Sequence, residues 1–230
     1  MHASSKRKKH LPYTPMLMSQ LRSHLILTDH MDAAVFTCLT ACFYSAVRVG
    51  ELTMRSLQSF DPAVHVKVRD VQVEIDRNGL AETVFFIPKT KMAPDGKDIC
   101  WAKQLSSTDP DAAFQNHLSM NAPPSDGLLF AYRHQKGHCP LTKAAFIQCL
   151  SKAARAAGID PLQGHGIRIG VTLEYLLCGV PFNVVKVKGR WASDAFILYL
   201  RKHAQILAPY IQAVPEVHEH FVHYTMPPVR

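Results

Sequence analysis

AAVFTCLTACFYSAV, residues 33–47, is the longest uncharged apolar stretch of the chain and leads directly into Arg48. It predicts a buried helix from Met31 to Tyr44 that ends near residues 48–52, RVGEL. At about 15 residues the stretch is shorter than the roughly 20 that a bilayer-spanning helix needs, and it contains Thr37, Thr40 and Ser45. We therefore expect a core helix and no membrane segment.

After this helix the spacing of the apolar residues changes. Apolar and polar residues alternate between positions 64 and 75, which predicts a half-buried strand. The triplet Arg77-Asn78-Gly79 predicts a turn, and residues 83–87 predict a second strand. Residues 88–98, PKTKMAPDGKD, are typical of a flexible loop and lead into a short strand at 99–102. The middle of the chain is therefore expected to form a small antiparallel sheet with a basic loop at one end.

Helical patterns fill most of the remaining chain. They cover residues 16–27, 112–120, 142–157, 171–178, 181–187 and 191–206, with a long loop at 122–141. We find no internal repeat and no linker. The sequence thus predicts one α+β domain over residues 15–212, mostly helical with a small antiparallel β-sheet or hairpin. Residues 1–14 are expected to be a basic tail and residues 213–230 a C-terminal tail.

The charge of the chain indicates a polyanionic partner. Lys and Arg outnumber Asp and Glu by 26 to 18, a formal net charge of +8 with an isoelectric point near 9.2. Nucleic acid is the first candidate and an acidic membrane surface the second. The run Lys6, Arg7, Lys8 and Lys9 suits a nuclear-import signal or a phosphate-binding arm, and is also typical of a solvated terminus without a role.

Four separated groups of residues carry the chemistry-bearing side chains. The first is Arg48 with Glu51, and the second is Lys89-Thr90-Lys91 in the loop beyond the predicted hairpin. The third is HGIRIG, in which His165 and Arg168 are three residues apart, so that both can lie on one helical face. The fourth is GRWASDAFILYLR, residues 189–201, which contains Arg190, Trp191, Tyr199 and Arg201. Each motif alone is common, but the ordered set is far more specific.

In this order and spacing the set resembles the catalytic domain of the tyrosine recombinases, the DNA breaking-rejoining integrases. More narrowly, it is similar to the Crypton-type recombinases of eukaryotic mobile elements, in which HxxRxG, a GRW segment and a nearby Tyr recur. The resemblance covers roughly residues 15–210 of the chain.

The resemblance implies a role for each residue. Arg48 and Arg168 would clamp the phosphate, because guanidinium groups stay charged and donate in pairs. Lys89 would protonate the departing 5′-oxygen, and His165 would orient the site or accept a proton. Tyr199 would be the nucleophile that holds DNA as a 3′-phosphotyrosine. We expect no metal and no cofactor, because side chains supply the positive charge.

Several assignments stay open. Lys91 is the alternative to Lys89. For the position before the nucleophile helix, the spacing favours Arg190 and the side-chain chemistry favours Trp191. Glu51 is a further candidate for the catalytic set. Competing phenols are Tyr175, Tyr210 and Tyr224. The alternative functions are a type IB topoisomerase-like enzyme and a domesticated DNA-binding module without activity.

The expected partner is double-stranded DNA, on which the protein would act as a homo-tetramer for site-specific recombination or integration. The Crypton-like resemblance implies a nuclear location if the source is eukaryotic, and otherwise a cytoplasmic one. Related enzymes carry a separate N-terminal DNA-clamping domain, which we expect to be missing or part of a longer product. The residues expected to bind DNA are Lys6, Arg7, Lys8, Lys9, Lys91, Lys97, Lys188 and Arg201.

Overall fold

The structure, a computed structural model, describes residues 11–90 and 93–191 together with Ile206 and Ala208. Its helices in these ranges are α1 (Pro15–Arg22), α2 (His30–Tyr44), α3 (Val49–Leu52), α4 (Pro110–Asn121), α5 (Lys143–Ala156), α6 (His165–Leu177) and α7 (Phe182–Lys188). Its strands are β1 (Val71–Ile75), β2 (Ala81–Ile87), β3 (Lys97–Ala102), β4 (Tyr132–His134) and β5 (Gly137–Cys139). The predicted fold class, a mostly helical α+β domain with a small antiparallel sheet, is confirmed.

Helix α2 is the centre of the fold. Every residue from Ala33 to Tyr44 is buried, and the helix packs against α4, α5, α6, β3 and β4. The Asp29 carboxylate caps its first turn by accepting from the Met31 and Asp32 backbone N–H groups. Because α2 is apolar on all sides, the other elements can surround it, as expected of a fully buried helix.

The end of α2 at Tyr44 is confirmed, but the predicted continuation towards residues 48–52 is wrong. The helix stops at Tyr44 and does not extend to Arg48, because the Ala46 N–H bonds to the Phe43 carbonyl and the Val47 N–H bonds to the Cys42 carbonyl. This pair of hydrogen bonds is a Schellman motif, and it places Ala46 in the left-handed region at φ 54°. The chain therefore turns before Arg48, which directly precedes the separate short helix α3.

The three-stranded sheet has the order β1-β2-β3 with both pairs antiparallel. Its buried face carries Phe85 and Trp101, and Trp101 meets Phe114 of α4 edge to face at 5.6 Å. The half-buried strand predicted over residues 64–75 is wrong in two respects. Only Val71–Ile75 is a strand, and Val73 and Ile75 are exposed at 66% and 69% because β1 lies at the edge of the sheet opposite β3, the strand that packs on α2 and α4.

Other boundaries also differ from the prediction. Helix α1 ends at Arg22, five residues earlier than expected, and the loop predicted at 122–141 contains the small hairpin β4-β5. Helix α6 begins at His165 and not at Val171. The helix predicted at 191–206 falls almost entirely outside the described residues.

Tyr13 and Thr14, near the N-terminal end of the described chain, cross α6, and we call this segment the strap. Tyr13 is 1% exposed, its N–H bonds to the Gly166 carbonyl at 3.0 Å, and the Thr14 side chain caps α1. The strap can lie this close only because α6 carries glycine there: a Cβ on Gly170 would be 2.1 Å from the Tyr13 carbonyl oxygen. Residues 13 and 14, assigned to the tail by the sequence, thus fix the position of α6.

Within the described residues, no helix has the length and hydropathy to cross a bilayer.

Candidate active site

Helix α3 places Arg48 and Glu51 side by side. The Glu51 carboxylate accepts from the Arg48 backbone N–H at 3.0 Å and from the Arg48 guanidinium Nη1 at 3.0 Å. This contact holds Glu51 at the start of α3 and aligns the Arg48 side chain, of which 40% is exposed. The Arg48 guanidinium is therefore held by Glu51, while part of the side chain remains open to solvent.

The same carboxylate also binds Arg190. Arg190 Nη2 lies 2.6 Å from Glu51 Oε2, and the two side chains are only 5% and 9% exposed. Burial raises the pKa of the Glu51 carboxyl, but the charge of Arg190 and the hydrogen bonds from Arg190 and Arg48 outweigh it, so that this pKa lies below its ordinary value. Glu51 stays ionised and links α3 to the end of α7.

Arg190 reaches Glu51 from a strained backbone position. Helix α7 ends in a second Schellman motif, with the Arg190 N–H on the Val187 carbonyl and the Trp191 N–H on the Lys186 carbonyl. This turn puts Arg190 at φ 55°, a left-handed conformation that costs a residue other than glycine about 1–2 kcal/mol.

Helix α6 supplies His165 and Arg168. His165 is the first residue of the helix and is exposed, whereas Arg168, one turn later, is 4% exposed. The start of α6 packs on α3 and α5, since a Cβ on Gly164 would lie 3.2 Å from Val49 and 3.3 Å from Ile147. This packing brings His165 beside Arg48.

Trp191 and Gly189 hold the Arg168 guanidinium in place. Arg168 Nη2 donates to the Gly189 carbonyl, and its central carbon lies 4.5 Å from the centre of the Trp191 ring, a cation–π contact. A Cβ on Gly189 would collide with that ring, so glycine is required here. The guanidinium plane is thus fixed by contacts to a carbonyl group and an indole.

Two adjoining cavities lie in front of these groups. The first, about 400 Å³, is lined by Arg48, Val49, Gly50, Lys143, Ile147, Gln163, Gly164, His165 and Arg168. The second, about 490 Å³, is lined by Arg48, Gly50, Glu51, Val64, His65, Lys89, Thr90 and Lys143. Because Arg48, Gly50 and Lys143 line both, the two cavities adjoin each other, and together we call them the cationic cleft.

The structure therefore brings together five of the residues singled out in the sequence: Arg48, Glu51, Lys89, His165 and Arg168. Lys89 lies in the connection between β2 and β3, where the backbone N–H of Thr90 bonds to the Ala93 carbonyl. Arg190 and Trp191 lie at the same site without lining the cleft, Arg190 against Glu51 and Trp191 against Arg168.

The remaining candidates fall elsewhere. Lys97 is exposed at the start of β3, and the Lys188 ammonium donates to the Cys100 carbonyl at 3.1 Å. Outside the described residues lie Tyr199, Lys91, Arg201, Lys6, Arg7, Lys8 and Lys9.

Tyr175 does not have the chemistry of a nucleophile. Its hydroxyl donates to the Tyr44 carbonyl at 2.5 Å, and burial raises the pKa of its phenol well above the ordinary value. Both effects oppose formation of the phenolate. The competing phenols Tyr210 and Tyr224 lie outside the described residues.

Comparison with known proteins shows which fold this is. No family model and no curated protein matches the chain. Among solved structures, it is similar to an FLP recombinase–Holliday junction complex (12% identity, TM-score 0.50, covering 86% of this chain and 46% of that one). It is also similar to a Flpe–Holliday junction complex (11%, 0.50, 93% and 52%) and to a complex of a Flpe mutant with a DNA Holliday junction (12%, 0.52, 98% and 53%). The chain has the tyrosine recombinase fold. It spans about half the length of the recombinases that it matches.

Within this tyrosine recombinase fold, the cleft contains two side chains that the sequence analysis missed. Lys143 lines both cavities and His65 lines the second. Lys143 is the first residue of α5, and its N–H bonds to the Met54 carbonyl, while the Met54 N–H bonds to the Leu141 carbonyl. This pairing joins the start of α5 to the segment after α3. No local signal in the sequence marks that contact.

The described residues contain no group of three or more His, Cys, Asp or Glu side chains that could hold a metal ion.

Proposed function

We propose that this protein breaks and rejoins duplex DNA through a covalent 3′-phosphotyrosine intermediate, as a tyrosine recombinase. The observation that carries the proposal is the cationic cleft: Arg48, His165 and Arg168 line one cavity, and Lys89 lines the adjoining one. These residues come from separate parts of the chain, in a fold that it shares with recombinases solved in complex with Holliday junctions.

The cleft suits the charge that develops on a reacting phosphodiester. Attack on phosphorus produces a phosphorane-like state with additional negative charge on the non-bridging oxygens. Two guanidinium groups held in fixed positions stabilise that charge without reorganising during the reaction. Arg48 is held by Glu51, and Arg168 is held by Gly189 and Trp191, so both meet this requirement.

The proton transfers are assigned to Lys89 and His165. Tyr199 attacks phosphorus, a bond forms between its phenolic oxygen and phosphorus, and the bond to the 5′-oxygen breaks. Lys89 donates a proton to that departing oxygen, and His165 accepts the proton of the phenol. In rejoining, the 5′-hydroxyl attacks the phosphotyrosine and the same groups act in reverse.

We further infer that the active form is a homo-tetramer on DNA and that the protein is a Crypton-like recombinase. The complexes of similar fold contain Holliday junctions, the four-armed intermediates of strand exchange, which supports an assembly of four protomers. The motif HGIRIG and the GRW segment support the narrower assignment.

Trapping on a nicked duplex tests the activity. When the short fragment that carries the new 5′-hydroxyl diffuses away after cleavage, rejoining fails and the protein stays covalently attached to DNA. We expect a denaturation-resistant protein–DNA adduct with the wild type and none with Tyr199→Phe, which loses only a hydroxyl and should bind the duplex as the wild type does. Tyr210→Phe is the matched control and should form the adduct.

Three results would contradict the proposal or part of it. An adduct with Tyr199→Phe would show that another residue is the nucleophile. Salt-sensitive binding without any adduct would favour an inactive DNA-binding module. Relaxation of supercoils without strand exchange would favour a type IB topoisomerase-like enzyme.

A further inference from the structure

The second cavity of the cleft carries more positive charge than the proposed bond breaking requires. Arg48, Lys89 and Lys143 line it together with His65. Its only carboxylate among the described lining residues is Glu51, whose two oxygens are occupied by Arg48 and Arg190. The cavity therefore presents unneutralised ammonium groups to a ligand, which points to an anion.

We propose that Lys143 and His65 form a binding site for the DNA phosphate next to the one that is cut. This inference rests on the proposed function and adds a second phosphate site to it. Lys143 becomes a binding residue that holds the strand in register, separate from the groups that act on the reacting phosphorus.

The position of Lys143 supports this role. Backbone hydrogen bonds from Met54 to Leu141 and from Lys143 to Met54 tie the start of α5 to the segment after α3. Thr142 caps α5 by accepting from the Ala145 N–H. The Lys143 backbone is therefore held rigidly beside Arg48, and only its side chain has to adjust to a ligand.

The electrostatics of Lys143 are unfavourable unless an anion is present. A lysine in the first turn of a helix is at the positive end of the helix dipole. Lys143 also shares both cavities with Arg48, a second cation. A phosphate between the two cations converts this repulsion into attraction.

The spacing of phosphates supports two sites in one cleft. Each DNA strand carries one negative charge about every 3.4 Å along the helix axis. A strand whose phosphate sits between Arg48 and Arg168 in the first cavity must place a neighbouring phosphate close to it. The second cavity, which adjoins the first along Arg48, Gly50 and Lys143, is where that neighbour can bind.

The salt dependence of duplex binding tests the proposal. We expect Lys143→Gln to reduce the slope of log affinity against log salt by about one, the effect of losing one phosphate contact. Lys143→Arg should keep the wild-type slope. The matched control is Lys152→Gln, which removes the same charge from an exposed position of α5 outside both cavities and should also keep that slope.

A methylphosphonate, which replaces one charged phosphate of the DNA by a neutral group, locates the phosphate that Lys143 contacts. It is placed at one or the other of the two phosphates that flank the position of covalent attachment in the nicked duplex. At one of the two positions, we expect it to weaken binding by the wild type and to leave binding by Lys143→Gln unchanged. If it weakens both proteins equally at each position, Lys143 does not hold a flanking phosphate.

The outcomes separate this inference from the proposed function. If the wild type forms the adduct and Lys143→Gln has the slope of the wild type, the phosphate site is wrong and the proposed function stands. If the wild type neither binds duplex nor forms an adduct, the proposed function itself fails, and the second site fails with it.

Discussion

At the scale of single residues, the site depends on Glu51. Its buried carboxylate is the only hydrogen-bond partner of the Arg190 guanidinium among the described residues, and Arg190 Nε and Nη1 are buried without one. A buried ion pair contributes little net stability compared with apolar residues, but removal of one partner leaves the other charge buried and uncompensated. Glu51 and Arg190 should therefore behave as one unit.

Substitution of either partner should destabilise the fold strongly. We expect Glu51→Gln and Arg190→Gln each to lower the free energy of unfolding by about 3 kcal/mol, and the double variant to lose less than the sum. Urea denaturation measures all three. Because the pKa of Glu51 is lowered in the folded state, its contribution is complete above the ordinary carboxyl pKa and is lost as pH falls through the folded value.

An exposed ion pair provides the control. Arg69 and Asp126 form a salt bridge whose side chains are 59% and 69% exposed. Arg69→Gln should change the free energy of unfolding by less than 1 kcal/mol. Additive effects of the Glu51 and Arg190 substitutions would contradict the coupling inferred from their 2.6 Å contact.

The Arg168 guanidinium should be more important for its shape than for its charge. A lysine at position 168 keeps the charge but lacks the planar group that stacks on Trp191 and bonds to Gly189. We expect Arg168→Lys to slow adduct formation on the nicked duplex by about 10²–10³, as does loss of one oxyanion donor. A single-turnover rate equal to that of the wild type would remove Arg168 from the proposed phosphate clamp.

At the scale of helices and strands, the sequence predicted most elements because their patterns are local. The apolar run of α2 and the Asn78-Gly79 turn were predicted correctly, since each carries its own signal. The turn between α2 and residues 48–52 was missed because Ala46 takes the left-handed position where glycine is usual, so no breaker residue marks it. Val73 and Ile75 were misread because alternation alone does not show which edge of a sheet the helices cover.

The members of the cationic cleft could be recognised in part, because some of them belong to local sequence motifs. Arg48, Lys89, His165 and Arg168 belong to recognisable motifs, and the structure places them in one cleft. Lys143 has no motif, and its place depends on the pairing of Met54 with residues 141–143, a contact between distant segments. The pairing of Arg190 with Glu51 is equally non-local. Sequence patterns identify the elements, but tertiary contacts determine which side chains share the cleft.

The contact between the strap and α6 predicts a strong effect at Gly170. A Cβ there would be 2.1 Å from the Tyr13 carbonyl oxygen, a backbone atom that cannot rotate away. We expect Gly170→Ala to cost about 3 kcal/mol, at the upper end of overpacking effects, and to accelerate hydrogen exchange at the Tyr13 amide. Urea denaturation and hydrogen exchange measure the two effects.

Gly50→Ala is the control for this substitution. A Cβ on Gly50 would meet nothing within 4 Å, and the residue lies in α3. Alanine there should be neutral or slightly stabilising. Equal destabilisation by Gly50→Ala and Gly170→Ala would show that the strap does not depend on the missing Cβ.

A buried histidine connects α4 to the hairpin β4-β5. Asn121 donates to His117 Nδ1 and accepts from the Arg133 N–H, while His117 Nε2 lies 2.9 Å from the Leu129 carbonyl. Both ring nitrogens are thus used by the neutral imidazole, with Nε2 donating. Burial lowers the pKa of His117 to about 4.

This network should make folding sensitive to mild acid. Because the pKa of His117 is lower in the folded than in the unfolded state, the unfolded state binds the proton first, and stability is lost as pH falls from above 6.5 towards 4. We expect a loss of up to about 3 kcal/mol from this group. The difference in unfolding free energy between the wild type and His117→Gln should shrink over that range. A difference independent of pH would contradict the assignment.

At the scale of the whole molecule, the fold gathers cations from four separate segments around one cleft. Arg48 follows α2, Lys89 follows β2, Lys143 begins α5 and Arg168 belongs to α6. The core formed around α2 and the sheet keeps these segments together, although their charges repel one another. The net charge of +8 adds a general attraction to any polyanion. The proposed binding of duplex DNA should therefore be dominated by phosphate contacts.

Salt titration of duplex binding by the wild type measures this dominance. Four phosphate contacts from the cleft alone predict a slope of about −3.6 in log affinity against log salt, which is a loss of about a hundredfold between 50 and 200 mM. The slope should be independent of DNA sequence, because phosphate contacts carry no base information. A slope near zero would show that the cleft does not bind the DNA backbone, since neither its four cations nor the net charge could then take part in the complex.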